Sequence, residues 1–261
     1  MNMKKRGKKA QVTIFIIIGI IIVALAVLIY MFYPKIKSSL GLGIESPNAY
    51  IETCIKEEIQ TAVDTLSPQG GSINPEFYTL YEDTKIEYLC YTEEFYKTCV
   101  MQQPMLKSNI ESEIEKEIKQ EAEDCFDGLK KSYEGKGYTV NLKKGGMFVE
   151  LLPKRIATTF NYSMTFKKGE ESESYERFRV VLNNNLYELI SIANSILNWE
   201  ARYGDAETTT YMNYYHDLKV EKKLQSEGTT VYILTDRNTG NKFQFASRSV
   251  AWPPGYGETA G

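Results

Sequence analysis

The chain has 261 residues, of which 43% are hydrophobic and 25% charged, the composition of an ordinary folded protein. Its 31 basic and 34 acidic residues give a net charge of -3, and five of the basic residues stand within residues 1–10, so the remainder carries 26 minus 34, or -8. Nucleic-acid binding requires a basic surface, so this acidic bulk argues against nucleic acid as a partner.

The first predicted element is a transmembrane helix over residues 11–34. This run contains no charged residue, and as a helix it covers about 35 Å, against about 30 Å of bilayer hydrocarbon. The basic leader, residues 1–10, outweighs Lys35 and Lys37 on the other side. The positive-inside rule therefore predicts a single-pass membrane protein with a cytoplasmic N-terminus and an extracellular bulk. A cleaved secretory signal fits less well, because its apolar region has only about 7–15 residues.

The junction between leader and helix resembles a prepilin processing site. Lys8-Lys9-Ala10-Gln11-Val12 is similar to the class III signal of archaeal type IV pilins and flagellins, which a prepilin peptidase cuts after a basic-basic-small triplet and before Gln. The resemblance implies cleavage between Ala10 and Gln11, with the helix kept on the mature protein. It also implies partners: the lipid bilayer, a prepilin-type peptidase and other pilin-like subunits.

One position departs from the pilin pattern. Pilins of this kind usually carry Glu at the fifth mature position, where this chain has Phe15. This favours a minor or static pilin-like component over a major filament subunit. The whole chain is also similar to a group of archaeal membrane-anchored proteins with a QVTIFIIIG-type start and a C-terminal YILTDRNTG segment, a likeness that implies no particular activity.

After a short stalk, residues 35–45, the sequence predicts an extracytoplasmic α+β domain over residues 46–261. Apolar residues at helical spacing predict helices over 47–66, 104–133 and 185–203. The Glu- and Lys-rich face of the second helix is interpreted as a solvated face. Predicted strands cover 85–91, 138–142, 147–152, 156–166, 175–182, 218–224, 229–235 and 242–250, with turns at 143–146, 167–172, 226–228 and 238–240. Because helices and strands are grouped rather than alternating, we expect helices packed on one face of an antiparallel sheet.

Four cysteines fall in this domain: Cys54, Cys90, Cys99 and Cys125. An exported domain favours disulfides, with buried free thiols as the alternative. A metal site fits poorly, because the cysteines lack C-x-x-C spacing and His216 is remote. Of the three pairings, we favour Cys90–Cys99, which closes a short loop, and Cys54–Cys125, because both residues border the apolar stripes of helices expected to pack together.

Motifs for catalysis or cofactor binding are sparse. The sequence has no Walker A, GxGxxG, HExxH or Gly-x-Ser-x-Gly motif. His216 and Asp217 could form a catalytic pair, but neighbouring residues on a strand or loop seldom point together, so His216 is interpreted as a surface or hydrogen-bonded residue. The run Lys143–Gly146 superficially resembles a phosphate-binding loop and is interpreted as a hairpin turn. We therefore predict no catalytic residue, no cofactor and no metal.

Two features suggest contacts at the surface. Tyrosine occurs 19 times, and Tyr203, Tyr211, Tyr214 and Tyr215 cluster before the last three strands. They suit either amphipathic core edges or a protein-contact patch, since Tyr is common at interfaces. Asn161-Tyr162-Ser163 is an N-glycosylation sequon, usable if this part of the chain faces outward.

These features lead to three functional hypotheses. The first is a non-enzymatic, pilin-like, membrane-anchored cell-surface protein that acts in surface assembly or adhesion. The second is a monomeric, membrane-tethered extracellular binding module of unknown ligand. The third is an anchored hydrolase that depends on His216.

Overall fold

The computed structural model describes residues 46–251. The predicted leader, membrane helix and stalk, with the processing residues Ala10 and Gln11, lie outside the described residues, as do residues 252–261. The chain divides into two units between Ser46 and Pro47, and the second holds every element described below. Within residues 46–251, no helix combines the length and apolar character needed to cross a bilayer.

Four α-helices occur among the described residues, and the three long ones match predicted helices. They are α1 (Pro47–Leu66), α2 (Leu106–Glu134), α3 (Leu186–Tyr203) and α4 (Thr209–Tyr214). Each long helix buries one apolar side, whose residues recur at helical spacing. They include Ile51, Ile55, Ile59 and Leu66 on α1, Ile110, Ile114, Ile118 and Phe126 on α2, and Leu189, Ala193, Ile196 and Leu197 on α3. The short helix α4 is not predicted from the sequence.

Twelve strands form three sheets in the same part of the chain. They are β1 (Tyr78–Tyr81), β2 (Thr84–Tyr91), β3 (Val100–Met101), β4 (Thr139–Lys143), β5 (Met147–Leu152), β6 (Arg155–Phe160), β7 (Ser163–Lys168), β8 (Glu171–Tyr175), β9 (Phe178–Asn183), β10 (Leu218–Leu224), β11 (Thr229–Asp236) and β12 (Lys242–Arg248). The largest sheet has the order β1-β2-β12-β11-β10, with β3 paired to β2. Its pairs are antiparallel except β12 with β2, which run parallel. The predicted α+β class, with helices packed on antiparallel sheets, is confirmed, although the strands form three sheets instead of one.

The six middle strands form two three-stranded antiparallel sheets, β4-β7-β8 and β5-β6-β9. The chain passes between the two sheets three times, and we call this pair of sheets the meander. β4 pairs with β7 and β5 with β6, while β8 and β9 pair with β7 and β6 respectively. The predicted hairpin turn at Lys143–Gly146 is therefore wrong, because these residues are a bend between β4 and β5. The predicted strand 156–166 is interrupted by the same bend at Asn161 and Tyr162. The Lys144 ammonium pairs with Glu123 and Asp127 of α2, at 3.1 and 3.2 Å.

The bend brings two backbones too close for a side chain at Gly145. The Asn161 N–H donates to the Gly146 carbonyl at 2.8 Å, and a Cβ built on Gly145 would stand 2.1 Å from the Asn161 carbonyl oxygen. We expect Gly145→Ala to lower the free energy of unfolding by at least about 2 kcal/mol, because backbone must move. Urea unfolding of the full-length chain measures this loss.

Gly135→Ala is the matched control. Gly135 has helical dihedrals, and its added Cβ would meet only ordinary contacts, the nearest at 3.4 Å. Its effect on stability should stay within about 1 kcal/mol. Equal losses for the two variants would contradict a tight crossing at Gly145.

The acidic face of α2 is not simply solvated, which corrects the sequence interpretation. The Glu111 carboxylate accepts the Leu151 N–H at 2.7 Å, and the Glu115 carboxylate accepts the Val149 N–H at 2.8 Å. Both N–H groups belong to β5, which lies at a sheet edge. The four positions from Glu111 to Glu115 advance about 6.0 Å along the helix, and the two positions from Val149 to Leu151 advance about 6.8 Å along the strand. The spacing of the two carboxylates therefore matches the spacing of the two N–H groups. The helix thus covers an edge that could otherwise pair with another chain.

Both disulfides predicted from the sequence are present. Cys54 on α1 is bonded to Cys125 on α2, and Cys90 on β2 is bonded to Cys99 just before β3. The first bond joins the two helices that pack against each other and on the meander. The second closes the loop between two paired strands.

Candidate functional site

A cleft of about 520 Å³ within the described residues has both apolar and polar side chains in its walls. Three segments line it: the first turns of α3, the connection from α4 to β10, and the end of β11. We call it the tyrosine cleft, and its lining residues are Asn185, Tyr187, Glu188, Leu189, Ser191, Ile192, Tyr214, Tyr215, His216, Asp217, Leu218 and Asp236.

The short helix α4 presents the aromatic wall. The Tyr211 hydroxyl is 2.7 Å from the Ser195 hydroxyl on α3, which ties the two helices together. The Tyr215 N–H donates to the Tyr211 carbonyl at 2.8 Å, and the Leu218 N–H donates to the Tyr215 carbonyl at 2.9 Å. This sharp turn leaves Tyr214 81% exposed and Tyr215 56% exposed. Two large aromatic side chains are therefore displayed on a segment that is held at both ends.

A network of amides and one carboxylate holds the opposite wall. The Asn185 amide donates to Asp236 Oδ2 at 2.7 Å, and the Asn241 amide donates to Asn185 Oδ1 at 2.6 Å. Asp236 Oδ1 accepts the N–H groups of Asn238 and Thr239, at 2.9 and 2.8 Å. These bonds link the end of β11 to the start of α3.

Among the carboxylates that line the cleft, Glu188 has a buried oxygen that accepts no hydrogen bond within the described residues. Its Oε1 atom accepts the Lys154 N–H at 2.9 Å. Its Oε2 atom is buried and has no hydrogen-bond partner within residues 46–251. Leaving a buried acceptor unsatisfied costs about 1–3 kcal/mol.

The cleft also contains His216, the residue on which a hydrolase would depend. His216 and Asp217 are both exposed, and within the described residues neither hydrogen-bonds to the other or to Ser191. Within residues 46–251, no group of three His, Cys, Asp or Glu side chains is placed to hold a metal ion. The exposed aromatic faces of the cleft offer surfaces for stacking, and its exposed carboxylates can accept hydrogen bonds.

The structure separates the predicted tyrosine cluster into two parts. Tyr214 and Tyr215 line the cleft, and Tyr211 supports them, whereas Tyr203 packs on Trp199 at the far end of α3 with ring centroids 4.8 Å apart. Sequence analysis misses Tyr187 and Glu188, which lie outside the apolar stripe of α3. The sequence feature that could have identified them is their position in the first turn of α3, a helix that begins shortly after a predicted strand.

A second polar cluster, the Glu200 network, lies in the core between α3 and the largest sheet. Glu200 is 2% exposed and accepts hydrogen bonds from the Tyr232 hydroxyl, from the Ser247 hydroxyl at 2.9 Å and from the Ala206 N–H at 3.2 Å. Burial raises the pKa of Glu200, while the hydrogen bonds from Tyr232 and Ser247 and the charge of Lys222 oppose the rise. This network clamps α3 to β11 and β12, and it provides no opening for a ligand.

The sequon at Asn161 lies on the outside of the meander. Asn161 is exposed at the bend, and its Oδ1 atom accepts the Arg177 Nε–H at 3.2 Å. This contact leaves the Nδ2 atom, to which an N-linked glycan attaches, without a hydrogen bond inside the described residues. We expect Asn161 to carry a glycan when the chain is made in its native cells. Mass spectrometry of the native protein should find the modified peptide.

Two substitutions test the sequon separately from the fold. Ser163→Ala removes the acceptor motif and should abolish the added mass, whereas Ser163→Thr preserves the motif and should keep it. An unmodified Asn161 peptide from native material would show that the site is not used.

Comparisons with known proteins find no relative of this chain: no family model matches it, and no similar protein is found among curated proteins or solved structures.

Proposed function

We propose that this chain is a non-enzymatic, pilin-like, membrane-anchored cell-surface protein, which displays its disulfide-linked domain outside the cell for surface assembly or adhesion. One observation carries the proposal: a basic leader and a charge-free run of bilayer length directly precede a domain with two disulfides. Disulfides persist in oxidising compartments and are rare in the cytosol, so they support export of the domain. A single transmembrane helix over residues 11–34 would hold it at the membrane.

The tyrosine cleft supports a role in binding. Interfaces are enriched in Tyr, which offers a large contact area at a low cost in side-chain entropy. Here two exposed tyrosines stand beside acceptors on the opposite wall. In this proposal the cleft is the contact surface of the displayed domain.

The second candidate function is a monomeric tethered binding module. Phe15 favours it, because the family resemblance places Glu at this position in subunits that polymerise. Electron microscopy and sedimentation of native surface material distinguish the two. Filaments that contain the chain would favour a pilin-like assembly, and detergent-soluble monomers alone would favour the module.

The deciding experiment is mass spectrometry of the mature N-terminus, combined with protease treatment of whole cells. A chain that begins at Gln11 and loses its C-terminal mass to external protease is the expected result. A full-length chain that stays in the aqueous fraction without detergent would overturn the proposal, as would protection of the C-terminal mass in whole cells.

A further inference from the structure

One face of the largest sheet points away from α3 and carries two tyrosines. On the α3 side, Ser247 of β12 donates a hydrogen bond to the helix at 2.9 Å. Because side chains alternate along a strand, Ala246 and Arg248 point to the other face. Tyr88 pairs with Ala246 and Tyr91 with Arg248, although the tyrosines are three positions apart and their partners two. This β-bulge on β2 therefore puts both tyrosines on the face opposite α3.

The two tyrosines belong to a row of rings that we call the aromatic strip: Phe77, Tyr88, Tyr91 and Phe95. The ring centroid of Phe77 lies 5.0 Å from that of Tyr88 and 4.6 Å from that of Tyr91. The Arg248 guanidinium lies between the last two rings, 5.7 Å from Tyr91 and 5.8 Å from Phe95. Phe77 and Phe95 are 45% and 62% exposed, so a ligand on this face can contact both rings.

Phe95 lies in the loop that the Cys90–Cys99 disulfide closes. The Val250 N–H donates to the Lys97 carbonyl at 3.2 Å, which ties this loop to the segment that follows β12. A covalent bond and a backbone hydrogen bond therefore hold the loop that carries Phe95 against the largest sheet.

Arg248 has a donor that no group of the domain uses. The residue is only 9% exposed, and within residues 46–251 it forms no ion pair. Its Nε atom donates to the Glu227 carbonyl at 2.8 Å and its Nη1 atom to the Thr92 carbonyl, while Nη2 has no hydrogen bond. In the same range, no buried or half-buried residue has a buried side-chain nitrogen without a hydrogen bond. The Nη2 atom is therefore open to solvent beside the rings.

The charges around the aromatic strip nearly cancel. Arg248 and Lys97 are positive, and Glu93, Glu94 and Glu227 are negative, with Lys97 and Glu94 paired at 2.5 Å. Such a mixture creates no strong field for a highly charged ligand. Aromatic rings with an available N–H donor instead suit a neutral ligand that has apolar faces and oxygen acceptors.

We propose that the aromatic strip binds a neutral oligosaccharide. The C–H-rich faces of the sugar rings pack on Phe77 and Phe95, and sugar hydroxyl oxygens accept hydrogen bonds from Arg248 Nη2. The strip shares no residue with the tyrosine cleft. This inference thus goes beyond the proposed function, because it adds a second contact surface of a different chemistry and requires no membrane anchor.

The test is calorimetric titration of the purified full-length chain with cellohexaose, mannohexaose and hexa-N-acetylchitohexaose, in a detergent that has no sugar group. At least one of these neutral probes is expected to bind. Phe95→Ala should weaken this binding at least tenfold, whereas Phe95→Trp keeps an aromatic ring and should preserve it. Arg248→Lys keeps the charge, lacks the Nη2 donor and should weaken binding several-fold.

Phe148→Ala is the matched control, because Phe148 is 52% exposed but lies on β5 in another sheet. Its affinity for the bound probe should equal that of the parent chain. No binding of the three neutral probes, or equal effects of the alanine substitutions at Phe95 and Phe148, would overturn the proposal. Tighter binding of the acidic probe hexagalacturonate, or of a proline-rich peptide, would also overturn it. Since the purified chain is used, such a failure leaves surface display and N-terminal processing unaffected.

Discussion

Replacing Cys54 and Cys125 together by Ala is expected to lower the free energy of unfolding by about 4.4 kcal/mol. The bond closes a loop of 71 residues between the first two helices, and a loop of this length gives the unfolded chain much freedom once it is released. The loss should appear as a lower urea midpoint under non-reducing conditions. Such a loss is a large part of the 5–15 kcal/mol that stabilises a typical domain.

The second disulfide is the internal control for this prediction. Cys90 and Cys99 are nine residues apart, so the same chain-entropy estimate gives only about 2.7 kcal/mol. The double Ala variant at these two positions should therefore be the more stable of the two. An equal or reversed order of the two midpoints would show that native packing around the bonds, and not loop length, determines their contribution.

Sequence patterns predict the parts of this fold that depend on one repeated signal. The three long helices follow from apolar residues at helical spacing, and their buried faces are the predicted ones. The Cys54–Cys125 pairing follows from two cysteines that border those faces, and the Cys90–Cys99 pairing follows from the short loop between them. Each of these features depends on a pattern within a short stretch of sequence, or on a bond between two such stretches.

Features that depend on backbone geometry could not be predicted in this way. β1 and β2 are joined by Glu82 and Asp83, both with positive φ, where hairpin turns normally have Asn-Gly or Asp-Gly. The bend through Gly145 looks like a hairpin turn in the sequence, because Gly-Gly is typical of both. The parallel pair of β12 and β2 joins residues 157 or 158 positions apart, such as Ser247 and Cys90, and no local pattern specifies it.

The candidate site was only half predictable for a related reason. The tyrosines near residue 211 are numerous enough to be noticed in the sequence. The helix α4 that carries them could not be predicted, because its six residues are too few to show a helical period. The Glu188 carboxylate is positioned by the Lys154 N–H, which lies 34 residues away in the sequence. The set of side chains that lines the cleft is thus a product of tertiary structure.

Glu200 provides the second large expected effect. Glu200→Ala should lower the free energy of unfolding by about 3 kcal/mol or more, because it leaves the hydroxyls of Tyr232 and Ser247 buried without an acceptor. The sequence signal is its spacing, since Glu200 continues the apolar stripe four residues after Ile196. A carboxylate on the buried side of α3 is tolerated only when neighbouring strands supply hydrogen-bond donors to it.

Glu200→Gln tests the charge apart from the packing. Burial raises the pKa of Glu200 in the folded domain above its ordinary value of 4.5, so the folded chain keeps this proton at a pH where the unfolded chain has lost it. The contribution of Glu200 to stability is therefore fully present below the ordinary pKa and declines as the pH rises through the raised one. Urea unfolding from pH 4 to 8 should show Glu200→Gln gaining stability relative to the parent chain as the pH increases. The control is Glu176→Gln at an exposed position, which should show no such trend. If Glu200→Gln instead gained stability relative to the parent chain as the pH falls, the prediction would be wrong. The hydrogen bonds from Tyr232 and Ser247 and the charge of Lys222 would then outweigh burial and favour the carboxylate over the acid.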